Sequence, residues 1–211
     1  MGLAGRRTEL LESLQKEIQH NSLIKNIDVS KQDEAMGHLE DLIDVMGGVD
    51  LVVISSGIGF INPELKWRDE KDTIDVNVSG FAAMAGVSFK HFLKQGSGHI
   101  VGISSVAALR GAGEAPAYNA SKAFISNYLE GLRQKAAKAG TSIAITDIQP
   151  GFVDTAMAKG EGLFWVAPPE KAASQIYSAI EGRKKRAYIT RRWRLIAWLL
   201  KTIPDWIYNK L

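Results

Sequence analysis

The sequence predicts an open α/β fold built on a parallel sheet, and three observations carry that expectation. Strand-like and helix-like patterns alternate through the N-terminal half of the chain. The run from Val49 to Ile54, apolar except for Asp50, has the character of a buried parallel strand. Between His99 and Ala139 a strand, a glycine-containing loop and a helix follow one another.

Taken in order, Gly2-Leu3-Ala4-Gly5 reads as a strand end. Thr8 can cap a helix running to about His20, with Leu10, Leu11, Leu14 and Ile18 on its inner face. A strand over 22–29 ends on Asp28-Val29. Ser30 then caps a helix in which Ala35, Leu39, Leu42, Ile43 and Met46 recur at helical spacing. The stretch from Glu64 to Asp75 is charged, with Trp67 as its expected anchor, and a long helix is expected from Val76 to Gln95. Its small residues Ala82, Ala83, Ala85 and Gly86 allow close packing on a neighbouring helix or across a dimer. Strands are expected over 99–103, 142–148 and 187–190, with a helix opened by Pro168-Pro169 and running to about Glu181. Residues 156–166 combine Gly160 and Gly162 with Met157, Leu163, Phe164 and Trp165. That composition suits a flap over an apolar substrate, or simple packing.

At 211 residues, one domain over 1–190 with a helical extension over 191–211 is the expected organisation. The absence of cysteine excludes disulfides and thiolate metal sites. His20, His38, His91 and His99 show no ligand spacing, so no metal is expected. MGLAGRR lacks the apolar core of a signal peptide, and Arg6 stands where a myristoylation signal wants Ser or Thr. No apolar run reaches the length of a membrane span, so a cytoplasmic location is the default expectation. The net charge of +3 conceals an asymmetry: residues 183–211 carry nine Lys or Arg and one Asp, which leaves the rest at −5. In that tail, Trp193, Trp198 and Trp206 accompany a short apolar segment from Leu195 to Leu200 flanked by cations. It suits peripheral contact with a membrane interface, docking on the domain, or pairing with a second subunit. Nucleic acid is not an expected partner, since no recognised module accompanies the charge.

The chemistry concentrates in SSVAALRGAGEAPAYNASK, residues 104–122. Tyr118 and Lys122 are four apart on an expected helix and so share a face. A nearby ammonium favours phenolate, which lowers a tyrosine pKa towards the range useful for proton transfer. Ser105 lies thirteen residues before Tyr118 at a strand end and could hydrogen-bond a substrate oxygen. Ser104 competes for that role, and alternation along the strand points the two in opposite directions. A Tyr-x-x-x-Lys pair alone also arises by accident in a lysine-rich chain.

In company, these segments resemble the short-chain dehydrogenase/reductase family. IVGISSVAALRG, AYNASKAF and DIQPGFVDTAM stand in that family's order and spacing, and the resemblance runs from about Gly2 to Thr190. It implies a Rossmann-like doubly wound parallel sheet and an oxidoreductase that interconverts a carbonyl and an alcohol. The implied catalytic residues are Tyr118 as proton donor or acceptor, Lys122 lowering its pKa, Ser105 orienting the substrate oxygen and Asn77 holding a relay water. Asn77 lies in Asn77-Val78-Ser79-Gly80, which matches the family's Asn-x-x-Gly. Tyr118, Lys122 and Asn77 would also border the cofactor. Pro150-Gly151 would shape the nicotinamide pocket and Thr155 would touch the cofactor; a plain turn and a helix cap are the alternatives. Arg6 and Arg7 stand where basic residues select NADP over NAD, or they are a solvated pair at a helix start. Asp28 and Val29 match the adenine pocket, or Asp28 only caps a turn. The family's Asn-Asn-Ala-Gly is here Ile54-Ser55-Ser56-Gly57, so the carry-over is to Gly57 alone. The resemblance also implies a homodimer or homotetramer and a small-molecule substrate.

The family's opening strand, Gly-rich turn and helix have no counterpart among these residues, and Ser55-Ser56-Gly57-Ile58-Gly59 does not replace them, because Pro63 and charges follow in place of a helix. The chain is thus expected to be a shortened form that starts at the second strand. A gap is expected between two half-sheets, with unpaired edges on both sides. The competing expectation is a non-catalytic, membrane- or partner-binding relative that holds no dinucleotide.

Overall fold

The computed structural model describes residues 1–18, 21–155 and 164–210. Six strands form: β1 (Gly2–Gly5), β2 (Leu23–Asn26), β3 (Leu51–Ile54), β4 (Ser97–Ile103), β5 (Ser142–Pro150) and β6 (Arg186–Ile189). All pairings are parallel, but they make two sheets. One is β1-β2, with Gly2 opposite Leu23; the other is β3-β4-β5-β6, with Leu51 opposite His99 and Ser97 opposite Ser142. Among the described residues no ladder joins β1 or β2 to β3. The division falls where the expected gap was.

The helices are α1 (Thr8–Glu17), α2 (Gln32–Val45), α3 (Trp67–Ile74), α4 (Phe81–Gln95), α5 (Pro116–Lys138), α6 (Pro169–Glu181), α7 (Trp193–Thr202) and α8 (Asp205–Tyr208). The main core lies where α2, α4 and α5 meet the sheet. Phe81, Phe92, Ile100, Ile125 and Leu129 are fully enclosed there with Ala35, Leu39 and Ile43. A smaller core under α6 joins Val101, Ile148 and Ile189 to Ala172 and Ala179. Burial of aliphatic and aromatic side chains contributes roughly 1.5–3 kcal/mol each, so these two clusters hold the strand ends in place.

Several local expectations are corrected. α1 buries none of its residues, and Leu10 and Leu14 are exposed because the helix has only a two-stranded ribbon to pack on. Thr8 and Ser30 do not cap: Arg7 and Lys31 occupy those positions, and Ser30 instead bonds Asp28. Trp67 opens α3 exposed and anchors nothing. The helix expected from Val76 starts earlier, because α3 runs into α4 through a π-helical segment, Asp75–Gly80. β3 is not buried on both faces. Ile54 is enclosed, but Leu51 and Val53 are exposed beside the sheet's open edge. His99 is a buried packing residue whose Nε2 meets Thr146 Oγ1 at 2.8 Å. The segment expected as a flap lies mostly outside the described residues.

The tail docks on the domain along one face. Arg110 donates to the carbonyls closing α7, Leu200 and Ile203, and pairs with Asp205 Oδ1 at 2.7 Å; Tyr208 donates its hydroxyl to Gly111 O at 2.6 Å. Trp193 and Ala197 form the buried side of α7.

Candidate active site

β4 ends at Ile103, and the two serines that follow diverge as strand alternation requires. Ser104 turns into the protein, where its hydroxyl donates to Asp147 Oδ1 at 2.5 Å. Ser105 turns outward. Its Oγ accepts the Ala107 N–H at 3.1 Å and opens a 3-10 turn, Val106–Leu109. Asn119 ties this turn to α5 by donating to Ala107 O and Arg110 O.

Pro116 sits in the first turn of α5, where its missing N–H costs nothing. One turn in, Tyr118 and Lys122 project together. Lys122 is 5% exposed, donates Nζ–H to Ile103 O at 3.1 Å, and holds Nζ 5.7 Å from the centre of the Tyr118 ring. Burial pushes its pKa down to about 8, with the Asp147 carboxylate resisting. Tyr118 departs from the expectation. Burial raises its pKa, and Ser105 offsets only part of that rise by hydrogen bonding. The Lys122 ammonium, itself weakened by burial, is not among the groups that lower the Tyr118 pKa. Tyr118 is therefore a protonated phenol at pH 7.

Asn77 is fully buried within the π-helical segment. Its Oδ1 accepts Ile58 N–H at 2.9 Å, and its Nδ2 donates to Ile58 O at 2.7 Å and to Ser121 Oγ at 2.9 Å. The amide is thus committed to protein groups and pins the 57–59 loop; it does not hold a relay water with its N–H donors. Gly57 fits because a Cβ there would come 3.2 Å from Lys122 Nζ. Gly59, not singled out as a site residue from the sequence, abuts Tyr118. Asp147 was also missed. It is fully buried and accepts from Ser104, Gln149 Nε2 (2.8 Å) and Arg186 Nε (3.3 Å), so a carboxylate stands behind Lys122. Its sequence signal is a single charge inside a strand that carries no other charge.

Of the remaining expected residues, Pro150 meets the cluster, its carbonyl accepting the Ser105 hydroxyl at 3.4 Å; the others lie apart from it. Arg6 and Arg7 are exposed just after β1. Asp28 caps its turn, accepting the Ser30 N–H (3.0 Å) and hydroxyl (2.7 Å). Burial acts to raise its carboxyl, but the Ser30 bonds, Arg6 and Lys31 outweigh this and hold the pKa below the usual carboxylate range. Val29 packs on Gly80, where any Cβ would strike Val29 O. Pro150 ends β5, and Gly151 lies directly beneath the Trp193 indole, so the missing side chain has a packing cause. Thr155 is exposed and, among the described residues, donates to Val153 O at 3.3 Å.

The family model for short chain dehydrogenases matches residues 1–163. This chain belongs to that family. It is 37% identical over 155 residues to an "Uncharacterized oxidoreductase" of Myxococcus xanthus (strain DK1622); the match covers 71% of this short-chain dehydrogenase chain and 60% of the relative, so the chain spans less than two thirds of that relative's length. Among solved structures, a short chain dehydrogenase/reductase from Burkholderia phymatum in complex with NAD is similar with a TM-score of 0.81 at 21% identity. That likeness covers 94% of this chain and 82% of the other. A structure titled "ElxO with NADP Bound" gives a TM-score of 0.75 at 20% identity, over 89% of this chain and 86% of that one. At such identities the structures speak for the Rossmann-like α/β fold.

A nicotinamide dinucleotide, which the family implies, fits the described residues in part. The buried lysine, the phenol and the serine converge at the carboxyl ends of β4 and β5, where parallel sheets bind ligands. Arg6 and Arg7 are exposed at the carboxyl end of β1. Between these ends, no glycine-rich strand–turn–helix is present among the described residues to hold a pyrophosphate.

Proposed function

We propose that this chain carries the active site of an NADP(H)-dependent oxidoreductase that interconverts a carbonyl and an alcohol. The observation that carries the reading is the meeting of Tyr118, Lys122 and Ser105 at one strand end, with the phenol half-buried and its pKa held above the ordinary value. When bound, the nicotinamide would supply the hydride that reduces the carbonyl carbon. Tyr118 would give its hydroxyl proton to the carbonyl oxygen, so that the substrate gains the equivalent of H⁻ and H⁺. Ser105 would orient that oxygen by a hydrogen bond. Lys122 would recharge the phenol and hold a ribose hydroxyl. Asn77 acts in this reading as a positioning residue, fixing the loop on which Tyr118 rests. Arg6 and Arg7 favour NADP, because exposed guanidinium groups at that strand end suit an extra phosphate. The aromatic group of Phe152, Phe164, Trp165 and Trp193 beside Gly151 favours an apolar substrate.

A second reading, that the chain holds no dinucleotide, draws on the divided sheet and on there being no glycine-rich pyrophosphate cradle among the described residues. Titrating NADPH fluorescence with the 211-residue protein separates the two. Saturable change at micromolar protein, weaker with NADH, is expected. No change at any concentration up to millimolar would favour the non-catalytic reading.

A further inference from the structure

The side of the tail turned away from the domain is not a polar surface. On α7, Leu195, Trp198 and Leu199 are 70%, 68% and 49% exposed, and they recur at the spacing of one helix face. Trp206 of α8 is as exposed as Trp198. Phe164 and Trp165, also exposed, continue the apolar surface, since both rings lie against Trp193 at the start of α7. α7 is therefore apolar on both sides: Trp193 and Ala197 are spent on the domain, and the outer stripe is left over. An outer stripe of this kind marks an interaction surface.

Its surroundings identify the partner. A cleft of about 540 Å³ opens between α6, β6 and the start of α7, lined by Lys184, Arg191 and Arg194 among others. No described carboxylate pairs with any of these three. Arg192 stacks over Trp165 at 5.1 Å, and Lys201 lies on the exposed side of α7. Cations bordering exposed indole rings and leucines match an anionic lipid surface: the rings reach the headgroup level and the guanidinium groups meet phosphate. A two-fold contact with a second copy fits less well, because it would face this basic border with its own image.

We infer that the α7–α8 face, with the adjoining Lys184–Arg194 cleft, docks on the anionic surface of a lipid bilayer without crossing it. No helix among the described residues is long and apolar enough to span one. The inference stands apart from the proposed reaction and is read without cofactor.

Flotation with phosphatidylcholine vesicles, with and without phosphatidylserine, tests it on the 211-residue protein. The chain should float with the phosphatidylserine vesicles only, tryptophan emission should shift to the blue, and salt should release it. R191E with R194E should weaken binding by roughly fivefold or more per charge. W198A with W206A should lose the blue shift and flotation while far-UV dichroism stays unchanged, since neither ring supports the core. Failure to float with phosphatidylserine vesicles overturns the inference. So does floating equally well with pure phosphatidylcholine, or a wild-type dimer that W198A with W206A converts to monomer without any lipid binding.

Discussion

Gly59 lies flat against the ring of Tyr118: a Cβ at position 59 would approach Tyr118 Cδ2 to 2.6 Å. That is closer than carbon atoms pack, so the loop or the phenol must move. The 57–59 loop cannot move freely, because Asn77 grips Ile58 through both its N–H and its C=O.

Gly59→Ala should therefore displace the Tyr118 hydroxyl with little effect on the distant core. A displacement near an ångström costs on the order of 100-fold in rate. Carbonyl reduction by the variant is expected to fall by about that factor, with the unfolding midpoint in urea nearly unchanged. Wild-type kcat/KM would show that the close approach has no bearing on chemistry.

Gly151 and Trp193 form a second such pair, since no Cβ fits beneath the indole. Gly151→Ala should destabilise the protein by about 1–3 kcal/mol through overpacking. Trp193→Ala should cost about 3–5 kcal/mol from the lost aromatic cluster. Removing the indole also removes the clash, so the double variant should cost less than the two singly, by more than about 0.5 kcal/mol. Strict additivity in urea unfolding would deny the contact.

Asp147 is a fully buried carboxylate, and the other carboxylate near Arg186, Glu130, is exposed and lies at 3.9 Å. Asp147→Asn leaves Arg186 without its buried counter-charge and Lys122 without the one carboxylate that resists its depression. Breaking such a pair costs about 3–5 kcal/mol when both charges are deeply buried, and Arg186 is partly exposed, so a loss of roughly 2 kcal/mol is expected. The pKa of Lys122 should fall further, which should move any alkaline change in activity to lower pH. An unmoved pH profile would separate Asp147 from the site.

Lys122 also makes stability depend on pH. Its folded pKa of about 8 lies below its ordinary 10.5, so between these values the unfolded chain binds more protons than the folded one. Stability from this group is thus least below pH 8 and rises as pH climbs through that window, by up to about 3 kcal/mol. Urea unfolding of the wild type and Lys122→Met at a series of pH values should show this rise in the wild type only. A parallel course in both would place the lysine in a solvated environment.

How much of this was legible in the sequence follows from physical range. Periodicity found β4, α5 and β5 because their apolar residues are buried by near neighbours, and the accompanying family-like motifs, more than the Tyr118–Lys122 spacing itself, singled out Ser105, Tyr118 and Lys122. It failed at α1 and β3, where burial depends on what lies across an open sheet edge, not on the pattern within the element. The raised Tyr118 pKa was hidden for a similar reason. A helical i, i+4 spacing gives nearness, but desolvation is set by the 57–59 loop, which arrives from far away in the chain. Asp147 and the Gly151–Trp193 contact join segments that no local motif relates. The π-helical turn that aims Asn77 at Ile58 leaves no mark in residue type.

The most direct measurement is the rate of NADPH-dependent reduction of an apolar aromatic ketone or aldehyde by the wild type and by Tyr118→Phe, with NADPH affinity measured on both. Loss of turnover by about two to four orders of magnitude at nearly unchanged affinity is the result expected of a phenol that gives its proton to the substrate oxygen, since a positioned proton donor contributes roughly 100- to 10,000-fold. Equal rates in the two proteins would contradict it.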